Sequence, residues 1–126
     1  MLGEGAVTVR RVKTYTSQTG YVYEYYFVGS RAALADDPFA PSTEFVFDVS
    51  PDRKSVFAIS IFLPSRALAS YAEEHGRSLS DPEQYAAAKL RLLQGFDELS
   101  NMLQDGRRLV LDAQSLATLL ESVGID

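Results

Sequence analysis

Residues 20–29 read GYVYEYYFVG, and four tyrosines and one phenylalanine stand within positions 21–27. Side chains of a strand alternate between its two faces. Tyr21, Tyr23, Tyr25 and Phe27 therefore share one face, and Val22, Glu24, Tyr26 and Val28 share the other. Neither face is polar enough for an ordinary solvated sheet surface. The pattern predicts a sheet that needs two covers. Its own helices supply one; part of a loop, a further helix, a second copy of the chain or a ligand supplies the other.

Upstream, residues 7–15 are rich in β-branched side chains and are followed by Ser17, Gln18, Thr19 and Gly20, so residues 7–28 read as an antiparallel hairpin. A four-residue loop at 16–19 places Arg11 opposite Glu24, and a two-residue turn at Gln18 and Thr19 places Lys13 there. Either register pairs the carboxylate with a cation, worth roughly 0.2–1 kcal/mol. Downstream, residues 30–42 (SRAALADDPFAPS) form a connection that Pro38 and Pro41 keep out of a strand, with a short helical turn available at 31–35. A second hairpin follows. Phe45, Phe47 and Val49 alternate with Glu44, Val46 and Asp48, Ser50-Pro51-Asp52 supplies the turn, and the return strand occupies about residues 54–63. A five-residue loop at 50–54 sets Phe47 opposite Phe57 and Phe45 opposite Ile59, pairing aromatic with aromatic or branched side chains.

From Pro64 the apolar period lengthens to that of helices. One helix runs over 64–75 and ends at Gly76. Ser80-Asp81-Pro82-Glu83 then combines a serine cap, proline in the first turn and a glutamate completing a capping box. That helix is expected to reach Leu103, with Tyr85, Ala88, Leu92, Phe96, Leu99 and Leu103 on one stripe. Gly95 within it marks either a close approach or a break. Arg108 begins a short strand-like run, and Asp112 caps a last helix that Gly124 stops. The expected fold is α+β: an antiparallel sheet of four to five strands from two N-terminal hairpins, packed by two or three C-terminal helices on one face. The 126 residues fit a single domain spanning 1–126.

The chain has no cysteine and one histidine, which removes disulfides, thiol nucleophiles and thiolate metal sites. No G-x-S-x-G, P-loop or G-x-G-x-x-G pattern occurs. His75 closes a helix, where an imidazolium complements the dipole. The acidic pairs Glu73-Glu74 and Asp97-Glu98 are neighbours on helices and do not face one another; Asp36-Asp37 sits in the long connection, as solvated carboxylates or as a hard-cation ligand. No catalytic residue, metal ligand or cofactor is expected. The first residues carry no basic-then-apolar leader and no apolar run spans a membrane, so the expected location is cytoplasmic. The net charge of −5 disfavours nucleic acid.

What remains is the aromatic strand. The expected function is a non-enzymatic binding or interaction module, a homodimer acting through its aromatic sheet face. The alternative is a small-molecule binder or enzyme with a pocket between the aromatic sheet and the 30–42 connection. Tyr21, Tyr23 and Tyr25 line that pocket, and Glu24 or Arg10 holds a polar group of the ligand.

Overall fold

A computed structural model of the chain, described for residues 11–125, has the expected α+β architecture. Among the described residues, five strands form one sheet in the order β1–β2–β3–β4–β5. They are β1 (Lys13–Thr16), β2 (Val22–Ala32), β3 (Ser42–Ser50), β4 (Phe57–Pro64) and β5 (Arg108–Val110). The first four pair antiparallel, whereas β5 joins β4 in parallel. The helices are α1 (Ser65–His75), α2 (Asp81–Glu98), the single turn α3 (Met102–Asp105) and α4 (Ala113–Ser122). None is long and apolar enough to cross a membrane. The part of the first strand expected at 7–10, with Arg10, lies outside the described residues.

The helices cover the face that carries Tyr23, Tyr25, Phe45, Phe47, Val49, Ile59, Ile61 and Leu63, all buried with Leu92, Phe96, Leu116 and Leu120 in one core. The other face is treated differently. Arg31 pairs with Glu44 at 3.1 Å, Arg53 with Glu24 at 3.2 Å, and the Tyr26 hydroxyl donates to Asp48 at 2.7 Å. Only around Phe62 is that face capped by the 33–41 connection. Phe39 packs on Phe62 with centroids 5.0 Å apart, and Arg108 lies 4.7 Å over the Phe62 ring while bonding Asp37 at 2.7 Å. A full second cover is therefore replaced, over the described residues, by ion pairs that solvate a mixed surface.

Both hairpin registers differ from expectation. Thr14, rather than Arg11 or Lys13, stands opposite Glu24, because the loop takes five residues, 17–21. Distant contacts set that length: Gln18 N–H donates to Asp97 at 3.0 Å, the Thr19 hydroxyl to the Phe96 carbonyl at 3.2 Å, and the Tyr15 hydroxyl to Asp97 at 2.7 Å. In the second hairpin Phe47 meets Ile59 and Phe45 meets Ile61, two residues beyond the expected pairs. A shift of two preserves every face. The longer turn is held by the Asp52 carboxylate, which accepts from Lys54 N–H at 2.8 Å and Ser55 N–H at 2.9 Å.

The strand β2 outruns its expected end. A bulge between Phe27 and Gly29 lets it continue to Ala32, so residues 31–32 are strand and not a helical turn. The bulge reverses the alternation: past it, Ser30 rather than Arg31 follows Phe27 on the helix side, opposite Phe45. The helix α2 is shorter than expected. It stops at Glu98, Leu99 turns extended, and Asn101 accepts from Gln104 N–H at 3.0 Å to start a new turn. Leu103, expected on the buried stripe, is 55% exposed in consequence. Gly95 is a close approach and not the break: a Cβ there would stand 2.8 Å from the Leu109 side chain and 3.1 Å from that of Met102.

The start of α2 follows the expected chemistry. Ser80 Oγ accepts from Glu83 N–H, the Glu83 carboxylate accepts from Ser80 N–H at 2.9 Å, and Arg77 grips the same carboxylate at 2.9 Å. The Arg77 guanidinium first, then the Ser80 amide, bring the Glu83 carboxyl down from 4.5 to about 2. A depressed acid stabilises the fold fully above its unfolded value and loses that effect as pH falls through the folded one. Urea midpoints measured against pH are therefore expected to show a loss between about pH 4.5 and 2 that Glu83→Gln makes shallower.

Candidate functional site

The helix α2 lies across the aromatic row of β2 and buries its two middle rings. Phe96 stacks on Tyr23 with centroids 4.1 Å apart and planes within 7°, and it also meets Tyr25 at 5.9 Å. The two middle tyrosines are core as a result, 2% and 5% exposed. Burial raises both hydroxyl pKa values above the usual phenol range. The row protrudes at each end, where Tyr21 is 48% and Phe27 38% exposed. Each protruding ring opens onto a cleft.

At the Tyr21 end the cleft encloses about 320 Å³ and is lined by Tyr21, Tyr23, Asp52, Phe57, Asn101 and Leu103. Its polar groups are largely committed. Asp52 holds the turn amides and Asn101 caps α3. At the Phe27 end a groove of about 560 Å³ lies between the sheet and the first turn of α2, lined by Phe27, Thr43, Phe45, Asp81, Gln84 and Tyr85. Phe27 meets Tyr85 edge to face at 4.8 Å and Phe47 at 5.3 Å, so its ring is fixed although exposed. Burial raises the Tyr85 hydroxyl as well.

The five residues singled out from sequence do not come together. Tyr21 and Tyr23 share the smaller cleft, Tyr25 is buried, and Glu24 lies on the opposite face with Arg53. Arg10 lies outside the described residues. The groove at the Phe27 end sits where the 33–41 connection leaves β2, but its opposite wall is α2, not that connection. In the sequence Tyr85 is a buried stripe position and Asp81 a helix-start signal. Nothing in their spacing announces that Tyr85 meets Phe27, fifty-eight positions away in the chain.

The other polar candidates hold structural posts. The His75 ring stacks on Tyr71 at 4.0 Å, with Nδ1 3.1 Å from the Tyr71 carbonyl. Asp37 accepts from Phe39 N–H and from Arg108, which together hold its carboxyl below the usual range. Asp97 takes the Tyr15 and Gln18 donors. Among the described residues no three His, Cys, Asp or Glu side chains converge to bind a metal.

Core and rim tyrosines predict different phenotypes. Tyr23→Ala is expected to cost about 3–5 kcal/mol of unfolding free energy, as large-to-small core changes of aromatics do. Tyr21→Ala, at the rim, should stay within about 1 kcal/mol of the parent, with urea unfolding as the measure for both. No family model matches the chain, and neither a curated protein nor a solved structure matches it, so the two clefts are read from their own chemistry.

Proposed function

We propose that the protein is a non-enzymatic binding module that receives an apolar or aromatic group in the groove at the Phe27 end of its aromatic row. The observation that carries this reading is Phe27 itself. It is a large apolar ring in mid-sheet, pinned by Tyr85 and Phe47, and still open to a groove of about 560 Å³. Small-molecule sites have this character: volumes of about 300–1,000 Å³, mostly apolar walls and a few polar groups for orientation. Thr43, Gln84 and Asp81 are those polar groups here. Among the described residues Asp81 and Tyr85 are the only titratable side chains on the wall, and they supply no acid–base pair of the kind hydrolytic or transfer chemistry uses.

Titration with a soluble aromatic alcohol tests the reading by NMR. The ring resonances of Phe27 and Tyr85 should shift saturably in the parent and stay still in Ser30→Trp, which fills the groove from an exposed position. Shifts scattered over the surface, or confined to Tyr21, would overturn it.

A second reading concerns the opposite end. Tyr21, Val56 at 62% exposure and Leu103 at 55% bring apolar surface to that end of the sheet. That surface supports self-association through the open end of the row, since two-fold pairing is the commonest use of such a patch. Light scattering over a wide range of protein concentration should then show a dimer that Leu103→Glu converts to monomer. A parent that is monomeric throughout would remove this reading.

A further inference from the structure

We infer that the groove at the Phe27 end selects a small organic ammonium compound, an apolar or aromatic body carrying one positive charge. The inference rests on the groove being a binding site and adds the class of its ligand.

Among the described residues Asp81 is the one ionic side chain on the groove wall, and no Lys or Arg lines it. Its carboxylate forms no hydrogen bond or ion pair with the described residues, whereas the carboxylate two positions on, Glu83, is held by Arg77 and Ser80. A lone carboxylate beside low-dielectric walls concentrates cations and repels anions. The helix end does not reverse that preference. Ser80 already takes the N–H groups of Glu83 and Gln84, and Pro82 has none to offer, so the first turn of α2 presents little to an anion.

The apolar wall adds to the selection. The exposed Phe27 ring and the Tyr85 ring meet at 63° and 4.8 Å, forming an aromatic corner next to Asp81 on the wall. Aromatic faces attract organic cations through the ring quadrupole, and Tyr and Phe both serve. An ammonium ligand thus finds its apolar body matched by Phe27, Phe45 and Tyr85 and its charge matched by Asp81. A neutral ligand of the same shape gains only the first, and an anion meets repulsion. The size of the groove suits a free amine of modest size.

Three probes of similar shape decide the matter: 2-phenylethylammonium, 2-phenylethanol and phenylacetate, each titrated into the full chain at low ionic strength. The ring resonances of Phe27 and Tyr85 are the readout. The ammonium compound is expected to bind about fivefold tighter than the alcohol, and phenylacetate more weakly than either. Asp81→Asn, which leaves the Ser80–Glu83 capping box in place, should remove most of the ammonium compound's advantage without changing the affinity of the alcohol, the remainder being the attraction of the rings; Asp81→Glu should restore part of the preference. If the ammonium compound binds no tighter than the alcohol, the inference is overturned while the groove stands as a binding site. If none of the three moves those rings, the groove reading and the inference fall together.

Discussion

The contact on which the rest of the molecule depends is Phe96 lying flat on Tyr23. One ring of α2 touches three tyrosines of the first hairpin, Tyr15 at 6.0 Å, Tyr23 at 4.1 Å and Tyr25 at 5.9 Å. That contact sets where the helix crosses the sheet. Once it is made, Asp97 and the Phe96 carbonyl fall beside the hairpin loop and bind it, and Gly95 falls against Leu109 and Met102 where no side chain would fit without displacement. The same placement decides which aromatics are core and which are not. A helix stacked on the second ring of a four-ring row leaves the first and the fourth partly exposed.

The two faces of the sheet reach water by different routes. Apolar burial accounts for the helix side, at about 25 cal/mol per Å² removed from water. The other side carries opposed pairs, Arg31 with Glu44 and Glu24 with Arg53, together with the Tyr26–Asp48 bond. Such exposed pairs add at most about 1 kcal/mol each. Their effect is on character more than on stability: they make a surface with Val22 and Val28 exposed compatible with solvent. The connection at 33–41 contributes at one place, where Phe39 and Arg108 enclose Phe62.

Local chemistry was legible in the sequence wherever neighbours in the chain decide the outcome. The Ser80 capping box, the Asp112 cap on α4 and the left-handed Gly76 and Gly124 all form as read. Alternation also identified the groups of residues that share each sheet face. What escaped depends on partners far away. The loop at 17–21 takes its length from Asp97, and the end of α2 is fixed by Asn101 and by Met102 packing beside Gly95. The bulge at Phe27–Gly29 reverses an alternation that sequence reading extends unbroken. Most of the candidate site shares that fate: the prominent tyrosines stand in the middle of the row, and the middle is where the helix sits. Phe27, the least conspicuous ring, meets Tyr85 only because the chain has folded.

The parallel edge strand has a consequence for how the fold assembles. Among the described residues every other pair of sheet neighbours is consecutive in the chain, but β5 reaches β4 only after the chain has passed through α1, α2 and α3, with Ser60 aligned to Arg108 and Ile61 to Leu109. Closing a long segment costs entropy before its contacts can repay it. The hairpins can zip locally, whereas β5 meets the β4 edge only when the intervening helices have brought it back to the sheet. Its sheet bonds, and that of the Leu111 N–H just past it to the Phe62 carbonyl at 2.8 Å, close the longest loop between neighbouring strands among the described residues.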